Sequence, residues 1–442
     1  MQMRKLAIAI MALSIGILGG CTHKGETAEQ PPVVVSPPDS DQPTDEPPTQ
    51  TPETPDTPEE EPATPAVPET PDQPEQAPDD EITQQVEKMS LDEKLGAMII
   101  AGVDGTMGSQ AAKRMIASQH VGGVIFYANN IKTPTGVVAY VNQLKAWNKD
   151  NASPLIVSVD QEGGRVSRLP GLVKLPTAKA IGDTGNSAYA TKIGSILGEA
   201  SMKMGFNLDF APVLDINSNP KNPVIGDRSY GSTPKLVTKM GIAAMEAIEA
   251  EGVIPVVKHF PGHGDTSVDS HLELPVVNKS EAALKAFEWV PFQEAIDKGV
   301  DAVMIAHILF PEVDANVPAS LSKRVITDEL RGELGFKGVV MTDDLTMGAI
   351  AKNYGMGEAA VMTVKAGSDI LLVAHEYKNV DAILAALKKS VNSGEITVER
   401  IDESVKRILV LKGKYELTDD KTPPAPNLDA LNAAIQKAVA VY

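Results

Sequence analysis

Between Lys258 and His271 the chain reads Lys-His-Phe-Pro-Gly-His-Gly-Asp-Thr-Ser-Val-Asp-Ser-His. Two glycines and a proline make this an irregular loop. Two chemistries suit its side chains. His259, His263, Asp265, Asp269 and His271 are all acceptable metal ligands. Alternatively, Asp269 and His271 form an acid–base pair. In an extended loop, residues two apart point the same way. A carboxylate beside the imidazole then holds one tautomer and raises a pKa that already lies near neutrality.

Such side chains need a rigid frame, and the remainder of the sequence supplies one. Apolar, β-branched runs occur at 98–103, 123–127, 155–159, 208–213, 254–257, 302–305, 338–341 and 370–373. Continuous apolar runs of this length read as strands of a parallel sheet covered on both faces. Segments of helical period lie between them, at 135–150, 187–203, 234–251 and 280–298, and a last one spans 428–441. Eight β/α alternations predict an α/β fold of the (β/α)₈ TIM-like type over 81–415, with an open doubly wound sheet as the alternative. A C-terminal tail with a helix fills 416–442, which leaves no room for a second large domain.

The polar residues fall where a barrel would use them. Asp160 follows the third run, Lys258 and His259 the fifth, His307 the sixth, Asp343 and Asp344 the seventh, and His375 the eighth. The C-terminal strand ends and the loops after them form the active site of this fold. A shared site at that face is therefore expected.

Ahead of the barrel lie an address and a spacer. Residues 1–20 join two positive charges, Arg4 and Lys5, to an apolar stretch of signal-peptide length that ends in Leu18-Gly19-Gly20 before Cys21. This resembles the lipobox of bacterial lipoproteins, whose cysteine takes a diacylglycerol. Cys21 is the chain's single cysteine, so neither a disulfide framework nor a cysteine-based zinc site is available. Residues 21–80 are rich in Pro, Glu and Thr. The stretch 22–80 holds 16 Asp/Glu against one Lys, most of the formal charge of −19. Too little apolar surface is present to offset the ordering entropy, so a disordered, extended linker is expected. The acidic balance disfavours a nucleic-acid partner. A lipid-anchored location on the extracytoplasmic face of the cell membrane follows, with a monomer as the expected state.

The segment KHFPGHGDTSVDSHLELP, with VDQEGGRVSRL upstream and GVVMTDDLTMGA downstream, resembles the family 3 glycoside hydrolases over about residues 85–415. Within that family it is similar to the β-N-acetylglucosaminidases of the cell-wall recycling type. The resemblance implies a retaining exo-hydrolase without metal or other cofactor. Its substrate would be a small glycan, with terminal β-linked N-acetylglucosamine released from muropeptides or related oligosaccharides. It implies Asp343 as nucleophile, with Asp344 as the rival, and His271 as general acid/base with Asp269 as its partner. Asp160, Arg168, Arg228, Lys258 and His259 match residues that bind the sugar. Acceptors and charged donors together suit ring hydroxyls. Export departs from the cytoplasmic recycling enzymes and opens the substrate to wall fragments, chitin-like chains or host glycans. A β-glucosidase-like enzyme, a non-catalytic sugar-binding lipoprotein and a metal-dependent hydrolase are the competing readings.

Overall fold

A computed structural model describes residues 78–423 and 426–440. The signal sequence, Cys21 and all but the last residues of the linker lie outside the described residues. The first helix, Pro78–Lys88, begins slightly inside the stretch expected to be linker. Ser90 then caps the helix Leu91–Ala97. Its hydroxyl accepts from the Glu93 N–H, and the Glu93 carboxylate accepts from the Ser90 N–H at 2.7 Å, a reciprocal cap that fixes where the folded chain enters the barrel.

Eight parallel strands form the barrel: β1 (Ile99–Gly102), β2 (Gly123–Phe126), β3 (Ile156–Val159), β4 (Leu208–Asp209), β5 (Ile254–Phe260), β6 (Ala302–Ile305), β7 (Val339–Thr342) and β8 (Leu371–Val373). Their order is β7-β6-β5-β4-β3-β2-β1-β8. A parallel bridge between Met341 and Ile370 joins the two ends and closes the ring. Nearly every strand residue is buried, because side chains fill the inside while helices cover the outside. All eight expected runs are strands of the expected (β/α)₈ barrel.

Three local differences have physical causes. β4 is only two residues long where the run extends to 213, since Pro212 has no N–H to donate to a ladder. Pairing resumes beyond it, where Leu214 N–H donates to the Lys258 carbonyl at 2.7 Å. β5 runs on to Phe260, so Lys258 and His259 stand on the strand itself and not after it, with the register slipping between Val257 and Phe260. The helix expected over 280–298 is two helices, Glu281–Ala286 and Val290–Asp297. Pro291, in the first turn of the second helix, has no N–H to give the Phe287 carbonyl four residues back and its ring would clash with it, so one continuous helix cannot run through; Glu288, in the break, pairs with Lys279. The C-terminal helix, Asp429–Val439, packs on the helix Ser187–Lys203.

Candidate active site

A cavity of about 290 Å³ opens at the C-terminal ends of the strands. Its size lies at the low end of small-molecule sites, which run from ~300 to 1,000 Å³, and suits one small polar ring. Asp160, Arg168, Arg228, Lys258, His259, Asp269, His271 and Asp343 all line it, with Asp344, His263 and His375, whereas His307 and Asp265 do not.

One wall is a buried charge network. Lys258 Nζ lies 2.7 Å from Asp160 Oδ1 and 2.8 Å from Glu162 Oε1. Arg228 donates two parallel bonds to Glu162, at 2.8 and 2.7 Å. Burial alone would drive Glu162 toward its neutral form. The adjacent Arg228 and Lys258 outweigh it and hold the carboxyl far below its ordinary range. Burial works against the Lys258 charge as well, and Asp160 with Glu162 overcomes it and raises the pKa. Deeper still, burial pushes Asp209 well above the usual carboxylate value; its Oδ1 accepts only from the Gln161 N–H. The Arg168 guanidinium, by contrast, has no hydrogen-bond partner among the described residues and lines the cavity.

A second cluster fixes the histidines. Asp215 is fully buried, with its Oδ2 2.6 Å from His259 Nδ1 and its Oδ1 accepting from the His263 N–H at 2.6 Å. Burial opposes its ionisation, but the His259 contact prevails and keeps the carboxyl below its ordinary value. His263 has both ring nitrogens engaged, at 2.9 Å from Thr266 Oγ1 and 2.9 Å from Ser270 Oγ. Burial depresses its pKa to about 4, assisted by the neighbouring His259. Only glycine fits at 264, where a Cβ would stand 1.7 Å from the Ile216 carbonyl oxygen.

Asp269 and His271 do pair, but through a turn and not an extended segment. Asp269 Oδ1 accepts from the His271 backbone N–H at 2.8 Å and stands 2.8 Å from His271 Nδ1. Burial raises the Asp269 pKa, yet the two bonds from His271 more than reverse that and leave it lowered. The His271 ring is mostly exposed, and its Nε2 has no partner among the described residues. The five side chains considered as metal ligands do not converge. His259 is spent on Asp215, His263 on two hydroxyls, Asp265 on Lys279 at 3.1 Å, and Asp269 on His271. Among the described residues no cluster of three or more His, Cys, Asp or Glu is arranged to hold a metal ion.

Adjacent aspartates after β7 have divergent environments. Asp344 is buried and both its oxygens are occupied: Oδ1 by the N–H groups of Thr346 and Ala374, both at 2.9 Å, and Oδ2 by the Thr346 hydroxyl at 2.6 Å. Asp343 accepts only the Asp344 N–H on Oδ1, at 2.8 Å, which leaves Oδ2 for the cavity. Burial would raise its pKa. The imidazoles of His259 and His307 and the Asp344 N–H overcome this and bring it to about 2. His307 is buried beneath, bonded to Ser320 Oγ at 2.7 Å and to the Asp344 carbonyl at 3.0 Å, so it shapes the loop. His375 stacks on Tyr127 with ring centroids 5.5 Å apart, at the cavity rim.

Glu162, Asp215 and Tyr127 were not singled out by sequence reasoning. Glu162 follows Asp160 by two residues in Asp-Gln-Glu-Gly-Gly, and Asp215 is the one acid that closes the fourth apolar run. Glu162 and Asp215 are charges shortly after apolar runs, the same signal that marked Asp160 and Asp343, while Tyr127, uncharged at the end of the second run, gave no such signal.

The family model for the glycosyl hydrolase family 3 N-terminal domain matches residues 90–411. Beta-hexosaminidase A of Pseudoalteromonas piscicida is 35% identical over 331 residues, which cover 68% of this chain and 54% of that protein; the chain thus spans about half the length of this relative. Beta-hexosaminidase LpqI of Mycobacterium tuberculosis is 35% identical over 333 residues, 74% of this chain and 83% of that one. A family 3 β-N-acetylglucosaminidase of Paenibacillus sp. has a solved structure that superposes with a TM-score of 0.75 at 43% identity, covering 79% of this chain and 68% of that chain. With the barrel closed and this cavity at its strand ends, the chain belongs to glycosyl hydrolase family 3, among relatives that are β-hexosaminidases.

Proposed function

We propose that the protein is a retaining exo-β-N-acetylhexosaminidase that removes terminal N-acetylglucosamine, with Asp343 as nucleophile and the Asp269/His271 pair as general acid/base. The observation that carries this reading is the asymmetry of the two aspartates. Asp343 has a free oxygen at the cavity that the Asp269/His271 pair also lines, while both Asp344 oxygens are bonded within their own loop. A carboxyl held at about 2 is ionised at neutral pH, as a nucleophile must be.

The reaction proceeds by two displacements. Asp343 Oδ2 bonds to the anomeric carbon as the glycosidic C–O bond breaks, and imidazolium Nε2 of His271 passes its proton to the departing oxygen. Nε2, now neutral, takes a proton from water as the water oxygen attacks the same carbon and releases the Asp343 carboxylate. Asp269 holds the proton on Nδ1 throughout, so that Nε2 is the exchanging atom. A histidine leaves no negative charge opposite the glycosyl-enzyme after the first step, which a carboxylic acid in its place would do. Asp160, Lys258, Arg168, Arg228 and His259 bind the sugar, the acceptors and charged donors matching its hydroxyls. Glu162 and Asp215 hold those groups in place.

The specificity for the acetamido sugar is drawn from the hexosaminidase relatives. The anchor is proposed from Leu18-Gly19-Gly20-Cys21: lipidated at Cys21, the enzyme would meet peptidoglycan fragments or related β-linked oligosaccharides outside the cytoplasm. Hydrolysis of an aryl β-N-acetylglucosaminide, set beside the aryl β-glucoside, tests the reading. Release from the acetamido sugar that is lost in Asp343→Ala supports it. Preference for the glucoside moves the assignment to the β-glucosidases of the family, and a folded protein that cleaves neither overturns it.

A further inference from the structure

The turn that carries His271 is not free-standing: it is bolted to the loop that carries Asp343. The Gly348 N–H donates to the His271 carbonyl at 3.1 Å and the Ala349 N–H to the Ser270 carbonyl at 3.1 Å. Lys352 Nζ donates to the Leu272 carbonyl at 2.7 Å. The donors belong to the short helix Gly348–Ala351, which follows Asp343 on the same β7 loop, and to the residue after it. Three consecutive carbonyls of an exposed turn are thus held by one partner. Contact this close depends on residue 348 having no side chain. A Cβ there would stand 2.6 Å from the Leu272 carbonyl oxygen and 2.7 Å from that of His271, both backbone atoms.

We propose that Gly348 is a positioning residue for the acid/base, holding the His271 turn at a fixed distance from Asp343. The inference rests on the assignment of His271 as general acid/base. An alanine at 348 needs no unusual backbone angle, and within a helix's first turn it is the better helix former. On helix propensity alone Gly348→Ala is neutral or stabilising. With the turn displaced, proton delivery suffers while the nucleophile stays, so the loss depends on how much help the leaving group needs.

The test compares kcat/KM for phenyl and 2,4-dinitrophenyl β-N-acetylglucosaminides in wild type, Gly348→Ala, Lys352→Met and His271→Ala, with circular dichroism to verify folding. General acid–base assistance is worth about 10²–10⁴-fold. Gly348→Ala is expected to lose roughly 10–100-fold on the phenyl glycoside and less than about 3-fold on the dinitrophenyl one. Azide, which attacks without a general base, is expected to speed its turnover of the dinitrophenyl substrate. Lys352→Met is expected to show a smaller loss in the same direction, and it decides the matter if Gly348→Ala does not fold. A steep leaving-group dependence in His271→Ala with wild-type behaviour in both loop variants overturns the positioning role and leaves the acid/base assignment standing. A flat dependence in His271→Ala overturns that assignment and the positioning role with it.

Discussion

Acidifying the protein from pH 7 to pH 4 removes about 3 kcal/mol of folding stability through His263 alone. The ring is buried with both nitrogens bonded, and its pKa falls from 6.5 to about 4. Above pH 6.5 the histidine is neutral in folded and unfolded chains alike, and its contribution is complete. Between 6.5 and 4 the unfolded chain binds a proton that the folded one refuses, so stability declines as the pH falls. Each pKa step is worth about 1.4 kcal/mol, which gives about 3 kcal/mol at pH 4. Burial lowers His307 as well, and it adds to the loss in the same sense. The assay is urea unfolding at several pH values for wild type and His263→Gln. The variant is less stable at pH 7, because one bond to Thr266 or Ser270 goes, but its curve is flatter by about 3 kcal/mol between pH 7 and 4. Parallel curves for the two proteins would refute the reasoning.

Asp344→Asn keeps measurable turnover and loses stability, whereas Asp343→Asn loses at least about 10³-fold in kcat on the aryl glycoside; steady-state kinetics beside thermal melting separate the two. Glu162→Gln leaves Arg228 without its paired carboxylate and Lys258 with Asp160 alone, and costs about 3–5 kcal/mol in denaturant unfolding, with a raised KM. EDTA is expected to leave turnover of the acetamido substrate unchanged, since the proposed mechanism passes the proton and the displaced electron pairs through Asp343, His271 and water.

Strand positions were legible because a parallel barrel buries both faces of every strand, so that unbroken apolar stretches such as 302–305 stand out. Lengths were less so: Pro212 cuts β4 short and Pro291 splits a helix, both through the missing N–H. The site's members could be read as charges at strand ends, whereas their division of labour came from the family resemblance and not from their spacing. Asp269 sets His271 apart from His263 in the sequence, but burial is what makes His263 a braced support and His271 an exposed ring. The Asp269/His271 pair is the one expected, but a local turn forms it in place of an extended segment: Asp269 Oδ1 takes the His271 N–H and the Asp269 carbonyl takes the Leu272 N–H. Asp343 and Asp344 differ only in what their oxygens meet, a fact of tertiary contact that no spacing encodes.

The central claim is that Asp343 forms a covalent bond to the sugar. Incubation with a slow fluorinated N-acetylglucosaminyl donor, then proteolysis and mass spectrometry of the peptide that contains Thr342-Asp343-Asp344-Leu345, tests it most directly. One sugar residue attached at Asp343 is expected, and none in Asp343→Asn. Attachment at Asp344, or turnover of the donor with no labelled peptide at any time, would contradict it.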